Sequence, residues 1–362
     1  MLGVYIHIPF CKRICNYCDF CKMYYDCGYV SKYLDSLELE IKCRYKDEYV
    51  DTIYIGGGTP SCLSISELER LFEIIKIFKL KDNYEFTIEC NIENIDDDKL
   101  RLFKNNGVNR LSFGVQSFNR GILNVLGRYH DEEMVFKNIE LSKKYFNNIN
   151  VDLIYGVSND IDIVKDDIDK FLRLGISHVS CYSLILEENT KLYIDKYKYV
   201  DEDIDYEMFR YIDNVLGENG FKHYEISNYS KNGYESIHNK NYWNNGCYYG
   251  FGLGAVSYID NYRISNTKNM SKYLFGDYVV DSVYEDIDVR KENDLILGLR
   301  LIDGFNYVEF NKKYDDDLLD RDVVKKMIRD GKLDVCDEYL RCNYEYIYLL
   351  NDILIEIIGS DL

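Results

Sequence analysis

The first half of the chain alternates between short apolar runs and longer stretches in which apolar residues recur at helical spacing. Runs that are rich in β-branched residues and bounded by glycine or polar residues are typical of strands. The predicted strands lie near 3–8, 52–56, 84–90, 109–115, 149–156 and 178–185. The predicted helices lie between them, near 29–46, 64–79, 96–106, 131–145 and 162–174. This repeat of strand and helix predicts an α/β fold built as a partial (β/α)6 barrel.

The repeat stops after the sixth predicted strand, and the rest of the chain has a different pattern. A helix is predicted near 203–217, and the segment rich in Gly, Tyr and Asn from Tyr224 to Tyr262 predicts short strands and irregular loops. An apolar helix from Leu295 to Leu301, two more helices and a hairpin between Lys332 and Tyr346 predict a small winged-helix-like domain. We expect a partial barrel over 1–190, a barrel extension over 191–288 and a C-terminal domain over 289–362.

Composition and charge narrow the class of protein. The chain is 46% hydrophobic and 30% charged, as expected of a folded globular protein, and its formal net charge is -19. No dense Lys/Arg cluster offsets that charge, so a phosphate backbone would be repelled and nucleic acid is excluded as a partner. The first residues lack the basic start of a secretion signal, and no apolar stretch reaches the ~20 residues of a membrane helix. We therefore expect a cytoplasmic protein whose twelve cysteines are reduced, some of them as metal ligands.

Three cysteines in C-x3-C-x2-C spacing follow the first predicted strand: Cys11, Cys15 and Cys18. Three thiolates can bind three irons of a 4Fe-4S cube and leave the fourth iron without a protein ligand. A zinc site with Cys21 as its fourth ligand is the alternative. Structural zinc sites usually pair two such units, and no second unit follows here, so the spacing favours an iron–sulfur cluster.

Polar or glycine residues stand where successive predicted strands end. Gly57 and Gly58 follow the second strand, Glu89 ends the third, Gln116 ends the fourth, and Asp152 lies on the fifth. Taken one at a time, these are ordinary turn and strand-end residues. In a parallel barrel, however, the carboxyl ends of the strands meet at one rim. Their joint placement therefore predicts a binding site there, at which glycines would let the backbone approach a ligand.

The cysteine spacing, with the aromatic Tyr17 before its last cysteine, resembles the signature of the radical SAM superfamily. In that superfamily S-adenosylmethionine (SAM) binds the open iron, and one-electron reduction cleaves its sulfonium to a 5′-deoxyadenosyl radical. The resemblance implies a 4Fe-4S cluster held by the three cysteines plus exchangeable SAM. It also implies an electron donor such as a flavodoxin or a ferredoxin.

Longer segments resemble the oxygen-independent coproporphyrinogen III oxidase group within that superfamily. These segments are Tyr5–Cys11, Gly56–Ser61, Gly107–Phe118 and Leu126–His130. The group has a decarboxylating oxidase branch and a heme chaperone branch, called HemW. Three further segments resemble the chaperone branch: Cys18–Phe20, Tyr224–Tyr229 and His238–Asn245. The oxidase branch tends to have a cysteine where this chain has Phe20.

The resemblance implies roles for particular residues. The expected SAM contacts are Tyr5, Tyr17, Gly57, Gly58, Thr59, Glu89, Gln116, Arg128 and Asp152. The expected heme contacts are His238, Tyr242 and Trp243, because histidine is a common axial ligand of heme iron and aromatic rings pack against the macrocycle. The alternative for His238 is a polar residue that closes a loop against the barrel.

Two functions follow from this resemblance. The first is a heme chaperone that binds heme and the SAM-ligated cluster and passes heme to an acceptor protein. The alternative is an enzyme that decarboxylates coproporphyrinogen III to protoporphyrinogen IX by radical chemistry. A zinc-stabilised binding module, without either cofactor, is a third possibility.

Overall fold

Parallel strands form the centre of the sheet in the computed structural model, which describes residues 1–359. They are β1 (Leu2–Ile8), β2 (Tyr49–Gly57), β3 (Lys79–Asn91), β4 (Arg110–Gln116), β5 (Asn148–Tyr155) and β6 (His178–Ser183). Each strand pairs in parallel with the next one in this order. Helices connect them, so the predicted α/β arrangement is confirmed.

The connecting helices begin at residues that cap their free backbone N–H groups. They are α1 (Cys27–Arg44), α2 (Ile65–Ile75), α3 (Asp97–Asn105), α4 (Arg120–Leu126), α5 (Glu132–Ser142) and α6 (Ile161–Leu174). The capping side chain is Asp or Ser in every case except α4, which is capped by Asn119. The sequence pattern missed α4 because seven residues are too few to show helical periodicity.

The extension continues the same sheet at both edges. Its elements are α7 (Lys191–Ile194), α8 (Glu202–Glu218), β7 (Lys222–Glu225), β8 (Asn228–Ser230), α9 (Ile237–Trp243), β9 (Cys247–Phe251), β10 (Val256–Ile259), β11 (Tyr262–Asn266), α10 (Met270–Phe275) and β12 (Val279–Tyr284). The strand order across residues 1–359 is β12-β11-β10-β9-β1-β2-β3-β4-β5-β6-β8-β7. Strand β9 runs parallel to β1, and the sheet stays open.

The C-terminal elements pack around a hydrophobic core of their own. They are α11 (Ile287–Gly298), β13 (Phe305–Asn306), α12 (Tyr307–Tyr314), α13 (Asp322–Arg329), β14 (Leu333–Cys336), β15 (Tyr339–Cys342) and α14 (Leu350–Ile358). The helix predicted from Leu295 to Leu301 starts earlier, because Asp286 accepts hydrogen bonds from the backbone N–H groups of Asp288 and Val289. The end of the predicted third domain, 360–362, lies outside the described residues. Across residues 1–359, no helix combines the length and apolar character needed to cross a membrane.

The two faces of β4 show how the fold creates a site. Leu111, Phe113 and Val115 are fully buried in the hydrophobic core on one face. Arg110 and Ser112 alternate with them and line a cavity on the other face. Parallel barrels usually fill their interior with branched apolar side chains. Here the interior is polar and leaves room for a ligand.

Candidate functional site

The loop that carries the three cysteines is held from several sides. Asn16 donates a backbone hydrogen bond to Leu126 O (2.9 Å) and a side-chain hydrogen bond to Val125 O (2.8 Å). Tyr25 N donates to Cys11 O at 2.9 Å. The loop is thus fixed against the C-terminal end of α4, which explains why these distant parts of the sequence form one site.

Cys11, Cys15 and Cys18 line one cavity of about 650 Å³ that opens to solvent. Thr59 Oγ1 donates to Cys11 Sγ, and Arg128 Nη1 donates to Cys15 Sγ, both at 3.6 Å. Burial raises the pKa of Cys11 to about 11, so its thiolate form needs a bound cation. Soft sulfur ligands with hydrogen-bond donors beside them fit an iron–sulfur cluster.

The geometry does not match the zinc alternative. Cys21 does not line the cavity, and its sulfur lies against Gly254 instead. Within residues 1–359, no three His, Cys, Asp or Glu side chains converge on a point where one metal ion would sit. In a cube each thiolate binds its own iron, so three cysteines around a cavity are the arrangement that a cube requires.

The turn after β2 needs its glycines because of neighbouring protein atoms. A Cβ at Gly57 would lie 2.6 Å from the His7 ring, and Gly57 has a φ of 112°. A Cβ at Gly58 would lie 2.9 Å from Cys11 Sγ. These glycines were expected to let a ligand approach, but packing against the first strand and the cysteine loop already requires them.

Glu89 sits at the end of β3 as a buried carboxylate. Its Oε1 accepts a hydrogen bond from Tyr54 OH (2.9 Å), and its Oε2 accepts one from Gly57 N (3.0 Å). Burial, with a smaller contribution from nearby Asp152, raises its pKa from 4.5 to about 7 against the opposing effect of these hydrogen bonds. Within residues 1–359 Glu89 forms no ion pair, so its carboxylate is available to a cationic ligand in the cavity.

We expect Glu89→Gln to stabilise the cluster-free protein at pH 8. A raised folded-state pKa favours the protonated form, so its contribution to stability is present below pH 4.5 and lost as pH rises through about 7. Removing the charge should increase the free energy of unfolding by about 1–2 kcal/mol at pH 8 and have almost no effect at pH 4. Urea unfolding of both proteins at the two pH values measures this. A variant that is less stable than the wild type at pH 8 would contradict the assignment.

Gln116 and Asp152 bring polar groups to the same cavity from β4 and β5. Gln116 has a φ of 71°, at a break in the β4–β5 register, and such strain often marks functional sites. Asp152 Oδ1 accepts a hydrogen bond from Asn150 Nδ2 at 2.7 Å, and burial raises the pKa of Asp152. The predicted rim of strand-end residues is therefore present as one surface.

Arg128 and Tyr17 also line the cavity, and so does Asn91, which was not predicted from the sequence. Arg128 is 5% exposed, and its Nη1 donates to Asn91 Oδ1 at 3.0 Å, while its Nε has no partner. Asn91 Nδ2 donates to Thr59 Oγ1 at 3.2 Å. The Glu-x-Asn spacing at the end of β3 was the available signal for Asn91. The unpaired Arg128 Nε leaves a donor for a ligand.

Tyr5 does not line this cavity, and its contact with SAM stays a prediction. It lies two residues before His7 on the same face of β1, about 7 Å deeper in the barrel. The hydroxyl of Tyr5 hydrogen-bonds His7 Nδ1 at 3.0 Å, and the His7 ring packs against Gly57. His7 therefore lies between Tyr5 and the cysteines.

The structure brings His238 and Tyr242 together, but Trp243 lies apart from them. His238 is 1% exposed, and its two ring nitrogens are hydrogen-bonded to Thr52 Oγ1 and Tyr242 OH, both at 2.8 Å. Trp243 lies five residues further along α9 and lines a groove beside the C-terminal elements. These hydrogen bonds favour the alternative of a structural polar residue for His238, and the role of the three residues in heme binding stays a prediction.

Comparisons with known proteins agree with this geometry. The family model for the radical SAM superfamily matches residues 5–181. A curated protein from Lactococcus lactis named heme chaperone HemW is 39% identical over 323 residues, covering 86% of this chain and 85% of its own. The heme chaperone HemW of Bacillus subtilis is 34% identical, and the match covers 87% of each chain. The solved structure of coproporphyrinogen III oxidase (HemN) from Escherichia coli has a TM-score of 0.87 at 22% identity, over 98% of this chain and 89% of that one, and thus shows a shared fold.

Proposed function

Since the chain belongs to the HemW family of the radical SAM superfamily, we propose that it works as a heme chaperone. In this role it binds heme together with a SAM-ligated 4Fe-4S cluster and passes the heme to an acceptor protein. The observation that carries the proposal is the 39% identity to a heme chaperone across 86% of the chain. The cavity lined by the three cysteines supports the cofactor part of the proposal.

In the proposed holoprotein, Cys11, Cys15 and Cys18 hold the cluster, and SAM occupies the rest of their cavity. When bound, the cluster would supply an iron for SAM to chelate and an electron that can reach the SAM sulfonium. The residues that line the cavity and would hold SAM are Tyr17, Gly57, Gly58, Thr59, Glu89, Gln116, Arg128 and Asp152. Glu89 and Asp152 offer anionic oxygens, and Arg128 Nε offers an unpaired donor.

The proposed electron donor is an acidic flavodoxin or ferredoxin that docks on the cysteine loop. Although the whole chain has a net charge of -19, Lys12 and Arg13 are exposed on this loop and Lys22 lies beside it. The Arg13 guanidinium stacks over the ring of Tyr129, which is 69% exposed, with 4.1 Å to its centroid. A local basic surface next to the cluster favours an acidic partner. The unpaired cysteines support a reducing compartment, which we propose is the cytoplasm.

We expect the double variant Lys12→Glu and Arg13→Glu to slow cluster reduction by reduced flavodoxin about tenfold at low salt. The difference should shrink as salt screens the charges. Stopped-flow absorbance of the cluster measures the rate. Lys81→Glu is the matched control, because Lys81 lies eight residues before Glu89 on β3, about 26 Å away. Equal slowing in both variants would contradict docking on the cysteine loop.

Titration of hemin into anaerobically reconstituted protein tests the chaperone proposal. We expect a saturable Soret shift at one heme per chain, and we expect it to persist in His238→Ala with less than about a threefold change in affinity. The reason is that both ring nitrogens of His238 are already hydrogen-bonded inside the protein. A folded His238→Ala protein that loses heme would restore His238 as the ligand. A wild-type protein that binds no hemin would contradict the proposed function.

A further inference from the structure

A second cavity of about 1100 Å³ adjoins the cysteine cavity inside the barrel. The two cavities share Glu89, Gln116 and Asp152 along their boundary. The second one extends deeper, to Arg110 at the start of β4, and its outer wall includes the apolar Leu184. The floor of this cavity, at its deep end, is therefore polar, and its outer wall is partly apolar.

Arg110 is an unpaired cation at that floor. Its side chain is 2% exposed, and its Nε has no hydrogen-bond partner. Within residues 1–359, no carboxylate lies at ion-pair distance from its guanidinium. A buried arginine without a partner is costly, so such a group is normally paired or used to bind a ligand.

The neighbours of Arg110 are already engaged with other groups. Asp152 Oδ1 accepts from Asn150 Nδ2 at 2.7 Å, and Glu89 accepts from Tyr54 and Gly57. His178 is buried, with its ring nitrogens bonded to Asn150 Oδ1 (2.6 Å) and Tyr224 OH (2.7 Å).

Burial, and then the charge of Arg110, lower the pKa of His238. Its ring nitrogens are hydrogen-bonded to Thr52 and Tyr242. Glu89 and Asp152 therefore form no ion pair with Arg110. His178 and His238 are neutral, because burial lowers the pKa of both.

We propose that this second cavity binds a ligand through a carboxylate, and that Arg110 is the counter-ion of that carboxylate. A guanidinium can hold a carboxylate through two parallel hydrogen bonds. The hydroxyls of Ser112 and Ser180 line the same cavity, where they donate hydrogen bonds to Asp152 and Asn150. This inference rests on the proposed function, because heme carries propionate groups on an apolar macrocycle. The methionyl carboxylate of a second SAM molecule presents the same chemistry.

The test compares wild-type protein with Arg110→Met, which removes the charge at similar volume, and with Arg110→Lys, which keeps it. The probes are hemin, hemin dimethyl ester, in which both propionates are esterified, and radiolabelled SAM in equilibrium dialysis. Iron content and thermal melting show which variants are folded. We expect Arg110→Met to weaken hemin binding by about tenfold or more and to leave the ester unaffected. The hemin affinity of Arg110→Lys should lie between those of the wild type and Arg110→Met.

The remaining outcomes are also decisive. Unchanged hemin affinity with a fall in the number of SAM molecules bound per chain supports the carboxylate site and assigns it to SAM. The proposal is overturned if Arg110→Met weakens the binding of hemin and of its ester equally, or if it changes the binding of none of the probes. If Arg110→Met does not fold, equal affinity of the wild type for hemin and the ester overturns the propionate assignment. If the wild type binds no hemin at all, the proposed function fails, and the SAM measurement alone decides the role of Arg110.

Discussion

Substitution of Cys11 by alanine is expected to abolish the cluster. The three sulfurs line one cavity, and each binds a separate iron, so the two that remain cannot hold a cube. Iron and sulfide analysis after anaerobic reconstitution should fall from about four irons per chain to nearly none. SAM binding should be lost with it, because the open iron is the chelating site for SAM.

Cys21→Ala is the matched control for this loss. Cys21 lies three residues after Cys18 in the same loop region, but its sulfur packs against Gly254 and not against the cavity. It should keep full iron content and its absorbance near 400 nm, a range typical of iron–sulfur proteins. Loss of iron in Cys21→Ala, or about one zinc and no sulfide in the wild type, would favour the zinc alternative.

Gly57→Ala is expected to cause the second-largest effect. The new Cβ would lie 2.6 Å from the His7 ring, which is fixed on its other side because His7 Nε2 is hydrogen-bonded to Cys21 O at 2.6 Å. Alanine is also strained at a φ of 112°. We expect a loss of about 3 kcal/mol in the free energy of unfolding. SAM affinity should fall as well, because Gly57 N positions Glu89.

Gly217→Ala provides the matched control for that substitution. Gly217 lies in the last turn of α8, and a Cβ there would meet nothing within 4 Å. Alanine should stabilise the helix by about 0.5–1 kcal/mol. Urea unfolding and SAM binding of the two variants check both effects. A stable Gly57→Ala protein with normal SAM affinity would contradict the packing described for this turn.

The barrel and its rim could be predicted from the sequence because both depend on local patterns. Apolar alternation defines which face of each strand is buried, and parallel strands bring their ends to one edge. Glu89, Gln116 and Asp152 therefore meet as expected. The loop that would hold the cluster could also be predicted, because its three cysteines are close in sequence.

Contacts between distant segments could not be predicted in this way. The hydrogen bond between His238 and Thr52 joins residues 186 positions apart, and it turns a candidate heme ligand into a buried structural residue. Helix α9 was missed because its buried positions, His238 and Asn241, are polar and give no apolar period. Tyr5 was expected at the SAM site from the family resemblance alone, which carries no information on its depth in the barrel.

Arg110 shows the opposite case. Arg110 and Ser112 alternate with the buried Leu111 and Phe113, so they share the face that lines the cavity, and this could have been inferred from the sequence. Whether a charged side chain there has a partner depends on Glu89 and Asp152, whose hydrogen bonds only the structure shows. The sequence could therefore have located this residue, but it could not have shown that the residue is unpaired.

Transfer of heme from the loaded protein is the measurement that tests the central claim most directly. Anaerobically reconstituted protein would be loaded with one equivalent of hemin, freed of excess, and mixed with apomyoglobin as a stand-in acceptor. Absorbance spectra would then follow the appearance of holomyoglobin, beside a coproporphyrinogen III assay with SAM and a reductant on the same preparation. A heme chaperone should release intact heme to the acceptor and form no protoporphyrinogen IX. Formation of protoporphyrinogen IX by a protein that carries no transferable heme would contradict the account.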